Sequence, residues 1–368
     1  MKPIYLALLL VSTLVFSQDY QFKDVIDLEC SDVKSQGNTG TCWSFSTSSF
    51  LESEIKRITG KDIDVSEMYH VRNTYPKKAW NYLMRQGKAQ FSEGGLAHDV
   101  FNAIADHGIV PESAFSGLDE GVTRHNHAEM VSVLKGMLNV YIDNPGRQLN
   151  PKWKEAIQSV LDVYLGENLK TFEYEGKTYT PKSFQEMVKI NPDNYVTITS
   201  FSHQPYYEDF ILNIPDNFSN GSMYNVPLDT FEQVISKALK GGYTVELDTD
   251  VSEPTFSSKQ GVAVVPENDS KQAEAIISVR PEKKISQEYR QQEFENYNTT
   301  DDHLMHITGL AKDQNGTVYY KTKNSWGTEN RGHGGYVYMS SAFIRLKAIS
   351  VTVHKDALNK ELRKKLGL

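Results

Sequence analysis

The stretch that decides the fold is Ser35-Gln36-Gly37-Asn38-Thr39-Gly40-Thr41-Cys42-Trp43-Ser44-Phe45-Ser46. Its two glycines predict a tight loop, because glycine adopts backbone conformations that other residues avoid. Apolar side chains then recur at roughly the helical period, at Phe45, Leu51, Ile55 and Ile58. A helix is therefore expected to begin near Cys42, with Thr39 or Thr41 as its cap, and to end at Thr59-Gly60.

Cys42 stands where a thiol can act as a nucleophile. Unsatisfied N–H groups and the macrodipole at a helix N-terminus favour the thiolate, so the pKa of Cys42 is expected to lie below its usual value. Gln36 lies six residues earlier, and its side-chain amide could join the Cys42 backbone N–H in holding the oxyanion of a tetrahedral intermediate. The pair indicates acyl transfer. For Cys42 taken alone, an inert buried cysteine is the alternative, since free cysteine is among the most buried residue types.

A second stretch, Asn324-Ser325-Trp326-Gly327, lies near the other end of the chain. Together with Gln36 and Cys42-Trp43-Ser44-Phe45 it resembles the motifs of the papain superfamily of cysteine peptidases. The resemblance implies that Asn324 orients the catalytic histidine and that Trp326 shields their hydrogen bond from water. It also implies an α+β, papain-like two-lobed fold, with a helical lobe, a β-rich lobe and the cleft between them, and a reaction without metal or cofactor.

Two histidines, His303 and His306, lie where that family carries its general base. Their odd spacing means that on a strand they would face opposite sides. In the family pattern the histidine stands six residues before a glycine, as His303 stands before Gly309. The resemblance therefore selects His303 as general base and acid and leaves His306 as a half-buried structural histidine. The neighbouring Asp301-Asp302 could raise the pKa of His303, but two acids in a polar loop are more often simply solvated.

Composition excludes some classes of function. The chain has 368 residues, of which 39% are hydrophobic, and a formal net charge of -8 at pH 7. That is enough apolar sequence for a sizeable core. The acidic balance and the lack of a long basic run argue against nucleic-acid binding. No metal is expected either, because the spacing fits no usual zinc site among His98, His107, His125 and His127.

The N-terminus has the pattern of a secretory signal peptide. Lys2 precedes an apolar run over residues 4–16, and Ser17 stands before a polar segment. Cleavage near Ser17 predicts an exported protein, periplasmic or secreted, with no membrane attachment afterwards. The chain contains two cysteines, and both Cys30 and Cys42 are expected to stay reduced, with Cys30 packed as a small apolar residue.

The order of these patterns predicts five segments. Residues 1–17 are the signal peptide, 18–119 the helical lobe with the nucleophile helix, 120–220 an insertion, 221–354 the β-rich lobe, and 355–368 a C-terminal arm. The insertion is expected to be mainly helical, with a small hairpin at 172–179, and to serve packing or oligomerisation. Residues 18–41 are expected to be irregular, and residues 267–300 to form a solvated loop and helix.

The insertion narrows the resemblance to one branch of the superfamily. His303 follows Cys42 by far more than the roughly 130–150 residues of simple papain-like enzymes. With Gly332-His333-Gly334-Gly335-Tyr336 and the tail, this is similar to the bleomycin hydrolase and aminopeptidase C branch. That likeness implies a cleft in which Gly94 and Gly95 offer bare backbone to an extended peptide substrate, and adds Trp326 to the substrate-binding residues. It also implies a terminal carboxylate that holds the substrate's free amine, and a homo-oligomer, a hexamer.

The expected function is hydrolysis of peptide bonds through a thioester acyl-enzyme, with removal of N-terminal residues from peptides. Two alternatives stay open. One is an endopeptidase, for which the C-terminal arm would not reach the cleft. The other is a catalytically silent peptide-binding or scaffold protein of the same fold.

Overall fold

The structure is a computed structural model that describes residues 19–368 except positions 145 and 147. The predicted signal peptide, residues 1–17, lies outside the described residues. Helices and a large sheet both contribute, as the α+β prediction requires. The helices are α1 (Cys42–Thr59), α2 (Glu67–Met84), α3 (Ala97–His107), α4 (Ala128–Ile142), α5 (Trp153–Leu165), α6 (Pro181–Val188), α7 (Leu228–Lys240), α8 (Gln272–Ala275), α9 (Gln287–Glu295), α10 (Ser341–Lys347) and α11 (Lys360–Leu366). Within the described part of the chain, none of them combines the length and the apolar character that crossing a membrane requires.

The described strands form one sheet of eleven and a separate two-stranded hairpin. They are β1 (Lys23–Asp27), β2 (Phe172–Tyr174), β3 (Lys177–Tyr179), β4 (Tyr195–Thr199), β5 (Asp209–Ile211), β6 (Ser222–Asn225), β7 (Val245–Thr249), β8 (Phe256–Ser257), β9 (Val262–Ala263), β10 (His303–Lys312), β11 (Val318–Lys323), β12 (Tyr336–Ser340) and β13 (Ala348–His354). Across the large sheet the order is β5-β6-β4-β13-β7-β10-β11-β12-β9-β8, and β1 also pairs with β10.

Strand β10 carries the two candidate histidines through the middle of the sheet. It runs antiparallel to β7 and β11, with His303 opposite Thr249. Leu304 belongs to the core shared with α1, whereas Met305 and Ile307 belong to the core on the other side. Successive side chains therefore face opposite cores, which confirms the strand on which the odd-spacing argument depended.

Helix α1 packs against β10 and ends as predicted. Thr59 is its last residue, and Gly60 follows in the left-handed conformation with φ 72. Phe50, Leu51 and Ile55 are fully buried on its inner face. Thr41, one of the two predicted caps, occupies the N-cap position, but its side chain makes no capping hydrogen bond. Its hydroxyl instead lies 2.6 Å from the hydroxyl of Thr39.

Three segments differ from the expectation. Residues 18–41 are not wholly irregular, because β1 pairs antiparallel with β10 through a register shift that hides its periodicity. Residues 267–300 are not simply solvated, since the guanidinium of Arg290 is fully buried and donates to the backbone oxygen of Ser200 at 2.8 Å. The predicted insertion contains the expected helices and hairpin, but it also supplies β4 and β5 to the large sheet.

The C-terminal arm packs on α7. Leu358, Leu362 and Leu366 are buried in the same core as Val234 of that helix. The backbone N–H of Leu368 donates to the carbonyl of Arg363 at 2.9 Å, which closes the end of α11. The resemblance had implied an arm lying in the cleft. In the structure the arm instead packs on α7, because its three leucines are buried against apolar side chains there.

Glu246 is an acidic residue in the interior of the sheet. It lies on β7, opposite His306 on one side and Thr352 on the other. Burial raises the pKa of Glu246 to about 8, since a low-dielectric surrounding disfavours the charged carboxylate. The folded protein therefore carries this group protonated at neutral pH, whereas the unfolded chain ionises it.

Replacing Glu246 by Gln should flatten the dependence of stability on pH. A carboxyl that stays protonated up to about pH 8 when folded, but ionises near its ordinary pKa of 4.5 when unfolded, stabilises the fold at acidic pH. That contribution is lost as the pH rises through about 8. Between about pH 5 and pH 8.5 the wild type should lose on the order of 3 kcal/mol more unfolding free energy than Glu246→Gln, measured by urea titration.

The matched control is Glu208→Gln, which removes an exposed carboxyl from the same chain. It should keep the wild-type slope of stability against pH. Parallel slopes for wild type and Glu246→Gln would contradict the assignment of a protonated, buried Glu246.

Candidate active site

The loop before α1 fixes the position of the nucleophile. Gly37 has φ +69, and a Cβ added there would lie 2.5 Å from the backbone oxygen of His125, so only glycine fits. Beyond Cys42, the indole N–H of Trp43 donates to the backbone oxygen of Glu93 at 2.9 Å. Contacts with neighbouring loops before and after Cys42 thus fix the position of the start of α1.

The thiol of Cys42 is protonated in the resting site. Its pKa is raised to about 12, chiefly by burial, and the backbone N–H of Leu304 works against this shift. Asp216, Asp301 and Asp248 contribute smaller shifts in the same direction as burial, since negative charge nearby disfavours a thiolate. The prediction of a lowered thiol pKa was wrong, because burial and these acids outweigh the helix N-terminus. Cys42 must therefore pass its proton to a neighbouring base before it can attack.

His303 lies beside this thiol on β10, and its role as the general base stays a prediction. It is the first residue of β10, next to Leu304 whose N–H faces the Cys42 thiol, and it is 3% exposed. Burial lowers the pKa of His303 to about 4, and the hydrogen bond with Asn324 opposes this shift. The imidazole is neutral at pH 7 and can accept a proton. Trp326 packs on it with ring centroids 4.7 Å apart, as a shield against water requires.

Asn324 determines which ring nitrogen of His303 is free. Its Oδ1 accepts from the backbone N–H of Ser325 at 2.7 Å, which identifies that atom as the oxygen. The same Oδ1 lies 2.8 Å from His303 Nε2, so Nε2 must be the donor. The neutral ring then carries its lone pair on Nδ1, and this is the atom that can take the thiol proton.

His306 lies in a different environment. It is 1% exposed, and its Nδ1 is 2.9 Å from the hydroxyl of Ser49 on α1, which also accepts from Lys323 Nζ at 2.8 Å. Burial and the Lys323 charge hold the pKa of His306 well below its usual range. The expected half-buried histidine is in fact fully buried, because α1 covers this part of β10.

Gln36 is held beside the asparagine segment. Its Oε1 accepts from the hydroxyl of Ser325 at 2.7 Å, and its Nε2 donates to the backbone oxygen of Thr39 at 2.6 Å. One N–H of the amide remains for a ligand. The structure brings Gln36 to the asparagine segment, while its role in oxyanion binding stays a prediction. Ser325, which the sequence analysis passed over, sets the orientation of this amide.

Gly94 and Gly95 lie next to the start of α1. A Cβ on Gly95 would meet the indole of Trp43 at 3.1 Å, so the backbone passes directly over that ring. A Cβ on Gly94 would overlap the carboxylate of Asp216. Gly95 is buried and an acidic side chain covers Gly94, so the expected role of both glycines in substrate binding stays a prediction.

Several acidic residues near the thiol were missed or misjudged from the sequence. Asp301 is not solvated: burial raises its pKa to about 7, and the charge of Asp216 raises it further. Asp302 is exposed and accepts from the backbone N–H groups of Val251 and Ser252 at 3.3 and 3.2 Å. Asp216 lies inside the predicted insertion, where no sequence signal linked it to Cys42.

One acidic cluster of the described residues has the spacing of a metal site, Glu52, Asp64 and Glu67. Lys34 already neutralises it, with its Nζ 2.7 Å from Glu67 and 3.7 Å from Glu52. Cys30 is the second thiol of the chain and is free, as is Cys42. It does not pack as an apolar residue, since its Sγ lies 3.1 Å from the hydroxyl of Tyr336.

A thiol at the start of a helix, opposite a strand-borne imidazole that an asparagine amide holds, is the arrangement of papain-like cysteine peptidases. Comparison with known proteins agrees with the fold. Residues 82–367 match the model of the Peptidase C1-like family, and the chain belongs to that family. The matched range begins after α1, so the assignment of Cys42 as nucleophile depends on the geometry of the site and on its sequence motif.

Relatives cover nearly the whole chain. The chain is 24% identical over 382 residues to aminopeptidase G of Lactobacillus delbrueckii subsp. lactis, covering 93% of this chain and 85% of that protein. It is 24% identical over 374 residues to aminopeptidase C of Listeria monocytogenes, covering 90% and 81%. The crystal structure of PepW from Lactobacillus rhamnosis superimposes with a TM-score of 0.74 at 19% identity, over 94% of this chain and 84% of that one. The papain-like fold class is confirmed.

Separate alanine substitutions of the two histidines test which of them is the general base. His303→Ala should lower kcat/KM for peptide hydrolysis by about 10³-fold, since it removes the predicted acceptor of the thiol proton. His306→Ala should keep most of the activity but lose about 2–3 kcal/mol of stability. The substitution leaves a buried cavity and removes the histidine partner of the Ser49 hydroxyl. Activity assays with thermal melts of both variants would decide. Loss of turnover in a folded His306→Ala, with His303→Ala still active, would reverse the assignment.

Proposed function

We propose that this chain is a cysteine aminopeptidase, which removes N-terminal residues from peptides. The observation that carries the proposal is the orientation of His303: Asn324 fixes Nε2 as the donor and leaves Nδ1 to serve Cys42. Membership of the Peptidase C1-like family supports the chemistry. The names of the aminopeptidase relatives, which match this chain over nine-tenths of its length, support the exopeptidase activity.

The proposed reaction proceeds in two halves. In the first, the proton of the Cys42 thiol passes to His303 Nδ1 while Sγ bonds to the substrate carbonyl carbon. Burial penalises either charge alone, so thiolate and imidazolium form together. The backbone N–H of Cys42 and the free N–H of Gln36 Nε2 stabilise the oxyanion. The C–N bond then breaks, the leaving amine takes the proton from His303, and a thioester remains on Cys42.

In the second half, water replaces the leaving peptide. His303 Nδ1 takes a proton from the water as its oxygen attacks the thioester carbon. The C–S bond breaks, the amino acid leaves with a free carboxyl group, and the proton returns from the imidazolium to Cys42. Asn324 keeps the ring in place through both halves, and Trp326 keeps water off the hydrogen bond between them.

A second candidate is endopeptidase action. The observation that favours it is the C-terminal arm, which packs on α7 and so leaves the cleft without the terminal carboxylate that the resemblance implied. An open cleft would accept peptides at internal positions. The two functions differ in whether the substrate needs a free N-terminus.

Digestion of paired peptides separates the two candidates. The mature protein should remove residues stepwise from peptides with free N-termini and leave the N-acetylated forms intact, as followed by mass spectrometry. Cys42→Ala should cut neither form. Internal cuts that ignore acetylation would make the protein an endopeptidase. A folded wild type that cuts no peptide would instead favour a silent peptide-binding protein.

The proposal also covers the cellular location and the oligomeric state of the enzyme. The segment of residues 1–17 supports export, to the periplasm or outside the cell, by its charged start and apolar run. Homo-oligomeric assembly, as a hexamer, is the second part. The N-terminal sequence of protein recovered from its source would check the first, and its mass by light scattering the second.

A further inference from the structure

We propose that the carboxylate of Asp216 binds the α-ammonium group of the substrate and so selects peptides with a free N-terminus. This inference rests on the proposed aminopeptidase function and assigns its specificity to a residue inside the chain. Asp216 would then do what the resemblance had assigned to the terminal carboxylate.

The position of Asp216 relative to the nucleophile is the first argument. Its carboxylate lies against the Cα of Gly94, and the next residue, Gly95, passes over the indole of Trp43, which follows Cys42 in α1. Asp216 is near enough to Cys42 for its charge to act on the thiol. In an amino acid, the nitrogen lies only about 2.5 Å from the carbonyl carbon that the thiol attacks. A carboxylate beside Gly94, one residue from the ring of Trp43, is therefore placed to contact the ammonium of an N-terminal residue whose carbonyl carbon is bound at Cys42.

The same position blocks longer chains. An extended peptide that ran past Cys42 along Gly94 would need to pair with the backbone there, as a strand pairs with an edge. The Asp216 side chain occupies that space, since even a Cβ on Gly94 would overlap it. A residue with a free ammonium ends at this point and gains an ion pair. A residue preceded by another peptide unit meets both steric overlap and an unpaired carboxylate.

The loop that carries Asp216 is held in place. The side-chain amide of Asn217 donates to the backbone oxygens of Leu212 and Gly221 at 3.0 and 2.9 Å. The hydroxyl of Ser219 donates to Asp99 Oδ1 at 2.6 Å, which ties the loop to α3. Such a loop presents its carboxylate without losing conformational entropy on binding.

Asp248 and Asp301 form a buried pair of acids beside Asp216. Asp248 is 1% exposed, and burial, followed by the charge of Asp301, raises its pKa well above its usual range. The two side chains hydrogen-bond each other, so the pair shares a proton. The charge of Asp216 also acts on Asp301, which places Asp216 next to this pair.

One side of Asp216 is already satisfied and one is free. Its Oδ1 accepts from Gln90 Nε2 at 2.7 Å, while Oδ2 has no partner among the described residues. Burial raises the pKa of Asp216, and the charge of the nearby Lys78 opposes this shift. The Nζ of Lys78 donates to the backbone oxygen of Gly94, so Oδ2 of Asp216 remains for a ligand ammonium.

The test compares free and blocked substrates on matched variants. Alanyl-aminomethylcoumarin and its N-acetyl form are assayed with the wild type, Asp216→Asn and Asp216→Glu. The control is Asp209→Asn, an exposed acid on β5 in the same part of the chain. Asp216→Asn should raise KM for the free-amine substrate at least about 10-fold, with a smaller change in kcat. The preference for free over acetylated substrate should fall by at least about 30-fold, and Asp216→Glu should restore part of it.

A purely structural role of Asp216 would change different measured quantities. If Asp216 only held the loop, both substrates would lose activity in parallel, and the rate of Cys42 alkylation by iodoacetamide would fall with them. An unchanged preference in a folded Asp216→Asn would overturn the inference. Should Asp216→Asn fail to fold, the same preference for free over acetylated substrate is measured with Asp301→Asn. It should fall at least about 5-fold in that variant. An unchanged preference there would also overturn the inference. A wild type without preference for free amines would refute the proposed function itself, which is a separate outcome.

Discussion

The hydrogen bond between His303 Nε2 and Asn324 Oδ1 is the interaction on which the rest of the site depends. It joins the first residue of β10 to the segment that follows β11, and the neighbouring Ser325 extends the link to Gln36 in the loop before Cys42. Two peptide segments from the ends of the chain are thereby held at one place. The chemistry then follows from which atoms remain free, Nδ1 of the imidazole and one N–H of the amide.

Burial is the second constraint, and it acts against every charge in the site. The thiol pKa is raised and the imidazole pKa is lowered, so the resting pair is neutral. A neutral pair is stable in a low-dielectric interior, and it becomes an ion pair only as the proton moves between the two groups. The acids beside Asp216 are under the same constraint, since burial raises the pKa values of Asp248 and Asp301 and the two share a proton.

The motifs were predictable from the sequence because their chemistry needs particular residues at fixed spacing. Cys42 at a helix start follows from local periodicity, whereas the strand position of His303 was implied by the resemblance, and the structure has both elements where they were expected. The thiol pKa was not predictable, since burial depends on packing between distant segments. For the same reason nothing near Asp216 in the sequence could place it over Gly94, which lies more than a hundred residues away along the chain.

The packing of α11 on α7 separates two properties of the molecule. Three leucines of this segment are buried in the core that α7 shares, whereas the charges that act on the Cys42 thiol belong to Asp216, Asp248 and Asp301. Different residues thus support the packing of α11 and the electrostatics of the thiol. Selection on the stability of this packing and selection on substrate choice can therefore act separately during evolution.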